Sequence, residues 1–184
     1  AEVDALGKPG TAPAWTSSSK DAVGCSLRSS RLWFTLGYGI VNEVYWPRTD
    51  LPQIRDLGFV VADGNGFWSE VKRHGEYSIR SIAPGVPAFE IVHKHSRYVL
   101  HLRISPDPRR DVLLIESKLE SDDPDMRLYV LLAPHLGATG HDNRAIVARH
   151  RGRRVLWAEH SPFALAHAAV DEKQEDAIFR ASCG

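Results

Sequence analysis

The sequence predicts an antiparallel all-β protein closed as a sandwich. Three observations carry this expectation: about a dozen short runs with alternating polarity, turn signals between them, and no convincing long amphipathic helix. Alternation is clearest in "YVLHLRIS", where Leu100, Leu102 and Ile104 point one way while His101 and Arg103 point the other. No internal repeat of fixed period is present, which argues against a propeller.

In chain order, residues 1–20 are rich in Gly, Pro, Ala and Ser without a period and are expected to form an extended arm, pinned onto the body by Trp15. The sandwich domain is expected over 21–184. "RLWFTLG" and "IVNEVYW" read as the first strands, the second ended by Pro47, and "IRDLGFVVAD" follows. The turn "DGNG" (63–66) leads into "FWSEV", then "EYSIRSI", "FEIVHKH" and "YVLHLRIS". "DVLLIESKLES" puts Leu113, Ile115 and Leu119 on one face and Glu116 and Lys118 on the other, and "SDDPD" (121–125) is a turn. "RLYVLLAP" is apolar on both faces, as a central covered strand would be. "RAIVARH" and "RRVLWAE" make a hairpin turning at Arg151 and Gly152, and "FALAHAAV" and "AIFRAS" close the series. "DEKQEDA" (171–177) is a charged connector with room for a helical turn.

With 184 residues, 43% hydrophobic and 25% charged, the chain can bury a real core. Lys plus Arg equals Asp plus Glu, so no field of one sign exists to attract nucleic acid or anionic lipid. The basic cluster "RHRGRR" (149–154) is best read as a polar hairpin turn rather than a phosphate site. The apolar runs are too short to span a bilayer. No signal peptide is visible, and a start at Ala1 is compatible with removal of an initiator Met or a signal, so the compartment stays open. Cys25 and Cys183 make no disulfide framework; two buried thiols are favoured over a bridge between neighbouring first and last strands.

Chemistry-bearing patterns are sparse. His93 and His95 share a strand face and could hold one edge of a metal site, but no third ligand is near in sequence, and no metal or other cofactor is expected. His135, His141 and Asp142 lie in the glycine-rich loop "APHLGATGHDN", a place where rigid strands could build a site or where His135 is a packed rim residue. Motifs for a nucleophile elbow, a zinc protease or a phosphate loop are missing. The rings Trp33, Phe34, Phe59, Trp157 and Phe163 sit in apolar strands and read as core rather than as sugar platforms.

"GIVNEVYWPRTDLPQIRDLGFVVADG" is similar to the segment near the start of prokaryotic glucoamylases and glucodextranases of glycoside hydrolase family 15. "DPRRDVLLIESKLES" with "MRLYVLLAPHLGATGHDN" resembles the next part of that domain in the same order, and "GKPGTAPAWTSSSKDAVGCS" resembles how those mature chains begin. The resemblance implies a super-β-sandwich of the aldose-epimerase (galactose-mutarotase-like) type, incomplete here at its C-terminal end. It also implies a parent enzyme releasing glucose from non-reducing ends of α-glucans with inversion. That family's two catalytic glutamates lie in a following (α/α)6 barrel, so no catalytic residue carries over onto this chain. The barrel and, through the parent, the α-glucan are the implied partners. Competing readings are a free-standing carbohydrate-binding sandwich and a small epimerase-like enzyme using His and Glu in one cleft. A reading frame running several hundred residues past Gly184 would favour the glucoamylase-like N-terminal domain over both. The candidate rim is Tyr45, Trp46, Arg48 and Asp56: rings and an arginine at a strand end suit a surface docking the barrel or lying under the arm, and interior packing of both rings weighs nearly as much.

Overall fold

In the computed structural model of the chain, residues 3–4, 19–74, 76–178 and 181 are described. They fall into two compact units, Trp15–Ala133 and Ala1–Ala14 with Pro134–Gly184. The expected arm over 1–20 lies, apart from residues 3–4 and 19–20, outside the described residues, as do Trp15, Cys183 and any pairing of Cys183 with Cys25.

The larger unit is a sandwich of two antiparallel sheets. One contains β2 (Ala22–Cys25), β3 (Trp33–Gly37), β4 (Ile40–Tyr45), β5 (Pro52–Ala62), β6 (Trp68–Glu70) and β11 (Arg127–Pro134), in the order β11-β5-β4-β3-β2 with β6 paired to β5. The other contains β7 (Glu76–Ser81), β8 (Phe89–His95), β9 (Tyr98–Pro106) and β10 (Leu113–Glu120), in the order β10-β9-β8-β7. Inward positions from both sheets make the core: Phe34, Leu36, Val41, Phe59 and Val61 from the first, Ile91, Leu100, Leu102 and Ile104 from the second. Phe34 meets Phe89 edge to face at 6.2 Å between ring centroids, joining the sheets.

Alternation in the sequence works where a strand has one covered face, as in β9, whereas β3 and β4 are covered on both faces. In β9 the even-numbered residues 98 to 104 are buried while Arg103 is exposed. Gly24 lies directly opposite Phe34, and a Cβ there would come 2.2 Å from Phe34 Cζ. A glycine lets that ring lie flat against the backbone of β2. The strand β2 is not among the expected strands, since four residues with an exposed Val23 carry too little pattern.

The expected central position of "RLYVLLAP" is overturned. β11 ends its sheet, and Val130 and Leu131 are 39% and 49% exposed. A doubly apolar strand reads as covered on both faces from composition alone, whereas its place in the sheet order is set by long-range pairing.

The smaller unit is one antiparallel sheet, β1-β12-β13-β14, made by β1 (Val3–Asp4), β12 (Arg144–His150), β13 (Arg153–His160) and β14 (Phe163–His167). The β12–β13 hairpin turns at Arg151 and Gly152, whose φ values of 50° and 84° are the paired left-handed conformations of a tight hairpin turn. Three of the "RHRGRR" side chains are engaged within this unit: Arg149 donates to the Gly152 carbonyl, Arg153 to that of Gln174, and Arg154 to the Asp176 carboxylate. "DEKQEDA" forms a turn closed by a bridge between Val170 and Asp176, with no helical turn, and the described part of "AIFRAS" is not a strand. Among the described residues the helical content is one 3-10 turn, Leu136–Ala138, and no helix is long and apolar enough to cross a membrane.

Candidate functional site

β4 carries the sequence "IVNEVY" into the rim, and its polar residues are as buried as its apolar ones. Asn42 and Glu43 are 1% and 4% exposed. The Lys20 ammonium lies 2.8 Å from Glu43 Oε1, and the Thr35 hydroxyl donates to the other Glu43 oxygen. With its amide turned so that the nitrogen donates to the Gly37 carbonyl, the Asn42 oxygen accepts from Lys20 at 3.2 Å. A buried carboxylate needs such a set of partners, because its desolvation alone would cost several kcal/mol.

At the end of β4 the strand gives way to a loop through a cis Trp46–Pro47 bond. The Trp46 N–H donates to the Leu51 carbonyl, and Gln53 Nε2 donates to the Trp46 carbonyl at 2.6 Å. The Trp46 ring is half-buried, with the Arg31 guanidinium 5.5 Å from its centroid. Its indole also faces Asp111. Burial works to raise the Asp111 carboxyl, but the Arg31 N–H at 2.7 Å, the indole and the Ser30 hydroxyl outweigh it, and the net shift is downward. Tyr45 is half-buried, and burial followed by the Glu43 charge raises its phenol. Arg48 is exposed and forms a two-pronged pair with Asp50, at 2.9 and 2.7 Å. Asp56 pairs instead with Lys72. The structure thus keeps Tyr45, at the end of β4, with Trp46 and Arg48 on the loop that follows, and joins Asp56 to a separate charge cluster with Lys72, Glu70 and Arg73.

His93 and His95 do share a face of β8, but each ring is engaged. His93 is 2% exposed, its Nε2 lies 2.7 Å from the Gly39 carbonyl, and it packs on Tyr77. His95 stacks on Tyr98 at 4.8 Å and accepts the Arg97 N–H. No group of three or more metal-ligating side chains occurs among the described residues.

In the smaller unit, the glycine-rich loop is tied by Asn143, whose side chain accepts the Leu136 N–H and donates to the Thr139 carbonyl. His135 is buried at the start of the 3-10 turn. Beside it, Asp142, Arg144, Glu159, His160 and Phe163 line an open concavity of about 490 Å³. Arg144 and Glu159 pair across it at 3.5 Å, and His160 Nδ1 lies 3.2 Å from the Asp142 carbonyl. His141 takes no part in lining it.

Three exposed rings, Tyr38, Trp68 and Tyr77, are not among the expected site residues, and Trp68 is the most exposed of them. Trp68 is 66% exposed on β6, next to the "DGNG" turn. The signal was present: Trp68 alternates with Ser69, so one of the two must face out, but a three-residue strand gives no basis for choosing which.

The profile of the family described as "Glucodextranase, domain N" matches residues 5–184. A glucoamylase from Clostridium sp. (strain G0005) is 28% identical over 163 residues, which is 85% of this chain and 23% of that protein. The crystal structure of a bacterial glucoamylase complexed with acarbose superposes with a TM-score of 0.85 at 26% identity, over 89% of this chain and 25% of that one. The chain therefore spans about a quarter of the length of the relatives it matches. A profile match running from residue 5 to the last residue, on a fold that superposes as closely as this, places the chain in the glucodextranase domain N family.

Proposed function

We propose that this chain is the non-catalytic N-terminal β-sandwich of a glucoamylase-like glycoside hydrolase, and that the parent enzyme releases glucose from non-reducing ends of α-glucans with inversion. The observation that carries this reading is the match of nearly the whole chain to one quarter of glucoamylases. Inverting hydrolysis needs one carboxylic acid held protonated and a second carboxylate that activates water. The carboxyls with resolved shifts here, Asp50, Asp63, Asp107, Asp111, Glu120 and Asp176, are all lowered, the direction opposite to that of a general acid. The three quarters of those relatives that lie outside the match leave room for the catalytic pair elsewhere in the same polypeptide, with a supporting role for the sandwich. The residue-1–20 arm with a 21–184 sandwich is the domain division that accompanies this reading, and Tyr45, Trp46, Arg48 and Asp56 are its candidate docking rim.

The purified 184-residue chain should release no glucose from maltoheptaose or isomaltooligosaccharides, while the full-length gene product should release it as the β-anomer. Glucose production by the 184-residue chain itself, followed with a coupled glucose assay, would overturn the reading.

A further inference from the structure

We propose that Trp68 and the turn beside it form a surface subsite for α-glucan, with the indole stacking on the apolar face of a glucosyl ring and the Asn65 amide meeting its hydroxyls. The proposal rests on the reading of the parent as an α-glucan hydrolase. Its foundation is the placement of Trp68. In the β5–β6 pair, Val61 opposes Ser69 and Ala62 opposes Trp68. Val61 and Ser69 are 0% and 2% exposed and face the core, so Ala62 and Trp68 face outward. The residue across from the indole is a single methyl, too small to cover it, and the ring stays 66% exposed.

The turn is built to hold that ring still. The Asp63 carboxylate accepts the N–H groups of Asn65 and Phe67 at 2.7 and 3.0 Å, and the Asp63 N–H donates to the Phe67 carbonyl. Arg97 bridges Asp63 and Asp123 at 3.1 Å each and lies 4.2 Å from the centroid of the Phe67 ring. The clamp fixes the segment on either side of Gly64 and Gly66, while the glycines leave the space around it open: a Cβ on either would meet nothing within 4 Å. A rigid aromatic surface loses little entropy on binding.

The surroundings favour a sugar over a protein partner. A protein interface centres on a contiguous apolar core. Here the ring's face of the β5–β6 pair carries Ala62, the half-buried Val60 and Glu70, whose carboxylate is ion-paired with Lys72 and Arg73. One exposed indole bordered by small or half-buried apolar side chains and by ion-paired charges matches a glucosyl unit, apolar on its face and hydroxylated at its edge. One plate gives weak affinity, so the site serves a polymer that offers the same face many times.

The test is native electrophoresis of the 184-residue chain, Trp68→Ala, Trp68→Phe and Asn65→Ala, in gels containing soluble starch, dextran or hydroxyethylcellulose, with thermal melts of each variant. The wild-type chain should be retarded in at least one of the two α-glucans and not in the β-glucan. Trp68→Ala should migrate as a non-binding protein with an unchanged melt, while Trp68→Phe should keep part of the retardation. Equal migration of wild type and Trp68→Ala overturns the proposal, as does equal retardation by the β-glucan. If Trp68→Ala instead lowers only the melting temperature of the full-length enzyme, the ring is an interface residue and the subsite is absent. Glucose release by the full-length enzyme is a separate readout: it can succeed while the subsite fails, and its own failure would sink the parent reading.

Discussion

His93 shows how one side chain can serve packing and titrate at the same time. Burial pushes its pKa below the ordinary histidine value, and the Gly39 carbonyl at 2.7 Å only partly offsets this. The neutral ring donates to that carbonyl, beside Tyr77, whose hydroxyl donates to Asp21 at 2.9 Å. In the unfolded chain histidine takes up its proton near pH 6.5, so between that value and the lower folded value only the unfolded state is protonated. Stability contributed by neutral His93 is complete above about pH 6.5 and is lost as pH falls below it, by up to about 1.4 kcal/mol per pH unit while the difference persists. His93→Gln keeps a donor for Gly39 without the titration. Its melting temperature should be lower at pH 7 but fall less steeply toward pH 5 than that of the wild type. Parallel pH profiles would show that His93 does not govern the acid sensitivity.

At the scale of elements, the loop leaving β4 brings the rim question to a measurable form. Its backbone is fixed from within by Leu51 and Gln53, and the Trp46 ring sits between Arg31 and Asp111. The Arg48–Asp50 pair is exposed on both sides and is worth little. If the rim docks a following domain, Trp46→Ala should lower the thermal stability or activity of the full-length enzyme and leave the melt of the 184-residue chain nearly unchanged. A loss of roughly 3–5 kcal/mol in the shorter chain, the cost of deleting a large buried ring, would make Trp46 core and end the docking idea. Strands were the legible elements. β3 to β10 are bounded by turn residues, and β8 to β10 also alternate, signals that act over a few positions, whereas β2 was too short to register and the edge position of β11 is decided by a partner about 70 positions away in sequence. The candidate site was less legible for the same reason: Asp56 joins Lys72, and Arg48 joins Asp50, through geometry that no local pattern encodes.

At the scale of the whole molecule, the fold class was readable because strands such as β8 and β9, with one covered face, write that face into the sequence, while the outward display of Trp68 became visible only with the β5–β6 register. The same sheet order has a consequence for how the protein behaves in a test tube. Among the described residues, β10 and β11 are each an end strand of a sheet of the larger unit, and they are guarded differently. Glu116, Lys118 and Glu120 stand exposed on β10, whereas β11 shows Val130 and Leu131 with a charge only at Arg127. Charges on an edge discourage strands from adding to it, and bare apolar edges invite them. Near neutral pH the formal net charge is zero, so little repulsion keeps two copies apart. Concentrated stocks of the 184-residue chain should therefore grow in light-scattering mass on storage at pH 7, and Leu131→Lys should hold them monomeric. Equal growth in both would acquit β11. Shelf life, a property seldom sought in a strand order, would here be set by the last strand of one sheet.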